Sequence, residues 1–297
     1  MYIQPQAGSL IPQTNPLTRD LLFWYMADHT ADIYKDYLGK GPDLVPNSAN
    51  GTLVTDSLYG RGISNDADNT KIYRSPLTLS NYWFGSRVNS SVSYQAGGGK
   101  GFTAITIIRA TGNNAAIFNN LWGGPNFGYS FRWNADGTLA FHGYNANNQR
   151  ITTVSSFSLN KDYIIIVVIP NDGLVAGNAG LIELYVDGDR IPFTVDYDDG
   201  AGVASSDNLY ININGRYTTS YNNPFNGTTY VYGMWDRPLS LPEIRALTDP
   251  YSIFQRQPAP VSVSVSVPVG AGLLRQLQLD GMGGLYKNSG MSGGMQG

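Results

Sequence analysis

Residues Asn223 to Leu247 read NPFNGTTYVYGMWDRPLSLPEIRAL. Pro224-Phe225-Asn226-Gly227 is turn chemistry, because Asn and Gly tolerate the backbone angles of a tight turn. Thr228 to Trp235 is β-branched and aromatic and carries no charge, which predicts a buried or half-buried strand. Ser240-Leu241-Pro242-Glu243 is a capping box, with Pro accepted in the first helical turn. Ile244 and Leu247 then fall three apart, on one face of a short helix. The order of events is a strand, a polar corner and one capped helical segment.

The rest of the chain up to Phe254 repeats the strand-and-turn pattern. Leu21 to Met26, LLFWYM, is a continuous apolar run that suits a central strand, with one face buried and aromatics filling the other. Asn50-Gly51 is a turn. Asn81 to Tyr94 predicts a strand pair with Trp83 and Phe84 inward, and the glycines at 97–101 a flexible turn. Phe102 to Arg109 alternates clearly. Phe127 to Asn134 and Thr138 to Tyr144 flank a hairpin turn at Ala135-Asp136-Gly137. Tyr163 to Ile169, YIIIVVI, is apolar throughout and belongs in the middle of a sheet. In Leu181 to Arg190, alternation puts Ile182, Leu184 and Val186 on one face and Glu183, Tyr185 and Asp187 on the other, ahead of an Asp-Gly turn.

The stretch from Asn223 resembles the closing strand and helix of a laminin-G-like (concanavalin A-like) jelly roll. Pro224, Phe225, Asn226, Gly227, Arg237, Leu239, Ser240, Glu243, Ile244 and Leu247 match that family's closing pattern. Tyr185-Val186-Asp187-Gly188 is similar to a family hairpin, and Asn47 to Leu53 to one of its turns. Asn15 to Arg19 and Asp249 to Phe254 resemble the two ends of the versions carried by tailed bacteriophages. The resemblance implies an all-β fold, a two-sheet antiparallel jelly-roll sandwich with one short helix near 241–248. Residues 1–16 would form an N-terminal extended arm, 17–255 the sandwich, and 256–297 a C-terminal arm.

Composition excludes several functions. The net charge is −3 and charged residues are 14% of the chain, with no basic run to attract nucleic acid. No apolar stretch is long enough for a membrane-spanning helix. The start, MYIQPQAGSL, lacks the basic and apolar regions of a signal peptide. Cysteine is absent, so disulfides and thiolate metal sites are excluded. Glycines 97–99 and 101 around Lys100 do not have P-loop spacing.

Catalytic chemistry finds little support. A glycosidase needs two carboxyls about 5–9.5 Å apart. The only glutamates are Glu183 and Glu243, and Glu243 is assigned to the capping box. Glu183 and Asp187 share a strand face but lie roughly 13 Å apart at strand rise. His29 and His142 sit in unrelated contexts and read as structural. The expectation is a non-enzyme without a cofactor, calcium excepted: Asp196, Asp198 and Asp199 form an oxygen-rich loop of the kind that ion prefers. Trp122, Tyr217 and Tyr221 lie in loops and are candidates for stacking on a glycan or for an interface. Trp24, Trp83, Trp133 and Trp235 are assigned to the core.

Beyond Phe254, the Val-Ser alternation at Val261, Val263, Val265 and Val267 predicts a strand with one apolar face, which must find a sheet edge. Read with the resemblance, it is an assembly arm added to a neighbour's sheet. The resulting expectation is a structural protein of a phage virion, made in the host cytoplasm. Its place would be capsid decoration, neck or tail fibre, and its partners other virion proteins and copies of itself. The alternative is a glycan-binding module for host surface polysaccharide. A glycoside hydrolase or lyase is the third reading.

Overall fold

A computed structural model describes residues 10–27, 33–39, 43–56, 59–74, 101–113, 115–122, 127–144, 148–173, 176–199, 211–217, 221–249, 251–254, 265–269 and 273–277. The chain divides into two units, Met1–Gln255 and Arg256–Gly297. The first is a sandwich of two antiparallel sheets, and Leu241–Ala246 is the α-helix among the described residues. The expected strand pair at 81–94 and glycine turn at 97–101 lie outside those residues, apart from Gly101.

The first sheet is built around Asn226–Trp235. On one side this strand pairs with Phe102–Ala110, which is followed outward by Asp162–Ile169, Glu183–Val186 and Asp189–Arg190. On the other side it pairs first with Gly60–Asp66 and then with Leu21–Ala27. A bulge at Tyr230 lies between these two registers, so Tyr230 and Val231 both face the same hydrophobic cluster. The turn before the strand centres on Asn223, with φ +49°, and Asn226 and Gly227 are already paired. This corrects the sequence reading of 224–227 as turn. Gly227 is needed for close approach, because a Cβ there would lie 2.2 Å from the Arg109 carbonyl oxygen.

This sheet is buried on both faces, which explains its uncharged apolar runs. Asp162–Ile169 sends Ile165, Val167 and Ile169 into the inter-sheet core and Ile164, Ile166 and Val168 to the opposite face. The run 21–26 divides the same way: Phe23 and Tyr25 face the second sheet, while Trp24 and Met26 face outward. An outer layer covers that second face with Ile244 and Leu247 from the helix, Ile11 and Leu17 from the N-terminal side, and Tyr251 and Ile253. The packed body therefore reaches back to Ile11, whose N–H donates to the Tyr37 carbonyl at 3.0 Å. Asn15 donates to the carbonyls of Ser252 and Ile253, tying together the two ends of the sandwich.

The second sheet runs, in order, Phe193–Asp198, Asn148–Thr153, Leu139–Tyr144, Phe127–Trp133, Ala115–Trp122, Asn212–Ile213, Tyr73–Arg74 and Val45–Pro46. Its inner face supplies Tyr129, Phe131, Trp133, Phe141, Ile151 and Ile213 to the inter-sheet core. Trp24, Trp133 and Trp235 are all fully buried, as assigned from the sequence, and Trp83 lies outside the described residues.

In the second unit, Val265–Val269 pairs with Leu273–Leu277, Val267 opposite Arg275. The Val/Ser strand therefore has one partner within its own chain, and the other edge of each strand in this two-stranded sheet carries no partner among the described residues. A hairpin satisfies one side of the strand's backbone groups at once and leaves fewer of them to be met by another subunit. Val261 and Val263 lie outside the described residues.

The corner after Trp235 is held by charge. Arg237 donates two hydrogen bonds to Glu243, at 2.9 and 2.6 Å, and Glu243 also accepts from the Ser240 N–H at 2.8 Å. Partial burial alone would raise the Glu243 pKa, but the bonds from Arg237 and Ser240 outweigh it and hold the carboxyl down at about 2. A depressed folded pKa means that this stabilisation is complete above the ordinary value of 4.5 and is lost as pH falls from there toward about 2. Replacing Glu243 with Gln should cost about 1–2 kcal/mol at pH 7, solvent screening included. Denaturant melts at pH 7 and pH 3 check it: the wild-type advantage over the variant should shrink at the lower pH.

Candidate functional site

The outer face of the second sheet carries a polar row that the registers define strand by strand. Arg74 lies opposite Asn212, Asn212 opposite Asn119, and Asn119 opposite Ser130. Ser130 lies opposite His142, His142 opposite Arg150, and Arg150 opposite Tyr197. Inward neighbours fix the direction: Tyr129 and Phe131 enter the core, so Ser130 points the other way. At ordinary strand spacing the row is roughly 29 Å long. A second row runs beside it, with Arg132 between Ala116 and Ala140 and then Thr152 and Thr194.

Seven of these eight strands hold no Asp or Glu, while they carry Arg74, Arg132, Arg150 and His142. The described strands of this face therefore carry their basic residues without acid on the same strands. Acid returns only on the edge strand Phe193–Asp198, where Asp196 pairs with Arg150 at 3.1 Å. Ser130 is fully buried, and its Oγ has no hydrogen-bond partner among the described residues. The buried Nε of Arg132 has none either. Both atoms are screened from solvent, so the part-exposed groups of the row, Arg74, His142 and Arg150, are the ones a ligand can touch.

The residues singled out from sequence fall elsewhere. Asp196 accepts from Thr152 Oγ1 at 2.7 Å and holds Arg150. Asp198 accepts from the Ala179 N–H at 3.2 Å and from Gln149 Nε2 at 3.1 Å, and Asp199 is exposed. Among the described residues, no group of three or more His, Cys, Asp or Glu is placed to hold a metal ion. Tyr217 and Tyr221 are direct cross-strand partners in a two-stranded ribbon. That ribbon adjoins the Ala116 end of Ala115–Trp122, through the Asn223 carbonyl that accepts from the Ala116 N–H. Trp122 is at the far end of the same strand, roughly 20 Å away by strand rise, so the three aromatics do not form one site. Tyr197, 53% exposed, lies at the end of the polar row.

Both glutamates are engaged in structure. Glu183 accepts from the Tyr185 hydroxyl at 2.7 Å and pairs with Arg190 at 3.4 Å. Burial, and after it the Glu183 carboxylate, push the Tyr185 phenol up to about 12. Glu243 serves the corner described above. Sequence reading passed over Ser130, Arg132 and Arg150 and took His142 as structural. The available signal was alternation: in FGYSFRW and LAFHGY the residues between the core aromatics are small or polar.

No family model and no curated protein sequence matches this chain. Solved structures do, as β-sandwiches of lectin-like fold. The binding domain of Paraclostridial Mosquitocidal Protein 1 is 17% identical, with a TM-score of 0.55, covering 79% of this chain and 53% of that one. The binding domain of Botulinum Neurotoxin DC, in complex with SialylT, is 13% identical with a TM-score of 0.53, covering 79% and 52%. A mutant Trypanosoma rangeli sialidase displaying trans-sialidase activity is 15% identical with a TM-score of 0.52, covering 83% and 35%. The chain thus spans about half the length of the two binding domains and about a third of the sialidase.

Because Asp196 and Asp198 already have partners, calcium should neither bind nor stabilise the protein. Titration calorimetry should show no heat of calcium binding, and a chelator should leave the Tm unchanged.

Proposed function

We propose that this chain is a glycan-binding module that recognises a saccharide without cleaving it, across the outer face of its second sheet. The observation that carries this reading is the polar row itself, in which Arg74, His142 and Arg150 are part-exposed and Tyr197 is exposed. A saccharide presents many hydroxyls that both donate and accept. A rank of part-exposed Arg and His side chains, ending in an exposed Tyr, matches that chemistry along an extended ligand. The similarity to toxin binding domains, one of them in complex with SialylT, supports the same reading.

The reading as a virion structural protein drew on the Val/Ser strand being donated to a neighbour. Pairing of that strand with Leu273–Leu277 takes up one of its two edges, and no compared structure supports the virion reading. The two roles are compatible on one particle, and the binding face carries the stronger argument.

The test is a glycan array with the full chain, followed by titration of the best ligand. At least one saccharide should bind, and His142→Ala should weaken it about tenfold with little change in Tm. Absence of binding to every glycan, or an unaffected His142→Ala variant, would overturn the proposal.

A further inference from the structure

The open edge of the second sheet carries an inference that does not depend on the glycan reading. We infer that a second copy of this chain docks there: the strands Phe193–Asp198 of two copies pair antiparallel about a two-fold axis at Thr194, and the two second sheets become one.

Phe193–Asp198 is the last strand of its sheet, and among the described residues it pairs with Asn148–Thr153 alone. Thr194, Val195, Asp196 and Tyr197 are all exposed. Six large apolar side chains are exposed among the described residues, and three of them, Val154, Val195 and Tyr197, lie on this strand or at the end of its neighbour. A bare strand edge is a template for another strand, and apolar side chains gathered along it favour one being added.

The hydrogen bonds show which backbone groups are free. The Val154 N–H donates to the Pro192 carbonyl at 3.1 Å. Bonding alternates along an antiparallel pair, so Thr194 is turned toward Thr152, while the N–H and C=O of Phe193 and Val195 are turned away from the sheet. On one side of this window stands Pro192, which has no N–H. On the other, Asp196 is skipped in the register with Asn148–Thr153, which is a bulge. The usable edge is therefore 193–195. A window closed at both ends fixes one register, and a two-fold contact uses it up in both copies.

That register is self-complementary. With the axis at Thr194, Phe193 of each copy lies opposite Val195 of the other, and each such pair exchanges both of its backbone hydrogen bonds. Thr194 lies opposite Thr194 in the closer, non-hydrogen-bonded kind of pair. An aromatic with a β-branched residue, and Thr with Thr, are pairings that stabilise sheets. Val195 shares the core-side face of its partner Ile151 yet is 43% exposed, and Phe193 of the second copy would cover it. Like charges stay apart. Asp196 falls opposite Pro192, roughly 14 Å along the strand from Asp196 of the second copy, and is held by Arg150 of its own chain at 3.1 Å. A foreign strand would have to match this window, whereas the chain already matches itself. The polar row ends at Tyr197 on the same strand, so pairing brings two rows end to end on one sheet face. On the glycan reading that face is bivalent.

Sedimentation velocity on the full chain from about 5 to about 500 µM is the test, because a contact of this size is weak. The weight-average mass should rise from 32.3 kDa toward twice that value. Thr194→Lys and Thr194→Glu each set like charges across the axis, and each alone should stay monomeric with a Tm near that of the wild type. An equimolar mixture of the two should regain the dimer, since residue 194 meets residue 194 only in this register. Val195→Ser adds no charge and should weaken the dimer about tenfold, and it reads the same contact if a charged variant fails to fold. A wild type that stays monomeric throughout would overturn the inference. A dimer unchanged by Thr194→Lys and Val195→Ser would place the contact elsewhere and overturn it as well, as would folded Lys and Glu variants that do not associate when mixed.

Discussion

The rest of the structure depends on one strand, Asn226–Trp235, being hydrogen-bonded on both sides and buried on both faces. Such a strand can carry no charge and expose no edge, and its sequence obeys both conditions. Its two partners on one side, Gly60–Asp66 and Leu21–Ala27, meet it at different places along its length, and the bulge at Tyr230 separates them. Close contacts fill the remaining space. Trp24 lies over Gly233, where a Cβ would stand 2.6 Å from the ring, and Trp24 and Trp235 meet edge to face at 5.9 Å. The polar groups at the entrance to the strand are satisfied internally: Thr229 donates to Asn214, Asn65 donates to the Asn214 carbonyl, and Tyr34 donates to the Thr229 carbonyl. A fully bonded network of this kind fixes one register where apolar packing alone would accept several.

Burial of the first sheet on both faces decides where recognition can occur. The helix and both ends of the sandwich cover its outer surface, with Arg237 joining the strand end, the helix and Asp20 at the corner. The second sheet has a packed inner face and a polar outer face. Its part-exposed outward side chains, Arg74, Arg132, His142 and Arg150, are therefore outside the inter-sheet core. They are also held by a backbone ladder on both sides, which keeps a binding row in place with little ordering on contact. Unsatisfied groups at Ser130 and Arg132 stand out against the closed polar network at Asn214 because the same fold shows both.

Legibility in the sequence followed the physics of each element. The closing strand, the capping box and the 133/139 hairpin were readable because each depends on neighbours within a few residues. The apolar runs at 21–26 and 163–169 were readable as central strands because burial on two faces suppresses alternation. The bulge at Tyr230 was not, since it arises from a change of partner that only the sheet contains. The partner of the Val/Ser strand was missed for a similar reason: a Val-Ser alternation specifies a face, not a mate. Asp196 and Asp198 looked like a free acidic loop, and their partners, Arg150 and the Ala179 N–H, are distant in sequence.

The polar row was the least legible feature, although every residue in it was in view. Arg74, Ser130, His142 and Arg150 come from separate strands, and one residue of slip in any register would send its member into the core. Core aromatics prevent that slip: Phe131 and Phe141 face one another across the central hairpin and stay inward only if Ser130 and His142 stay outward. The aromatic core that makes the sandwich thus also aligns the outer row. A change of volume at Phe131 or Phe141 would therefore disturb the spacing of the recognition groups before it disturbed their chemistry. Aromatics in loops lack that alignment, because no ladder sets their distances. On the proposed glycan reading, ligand specificity would be a property of strand register.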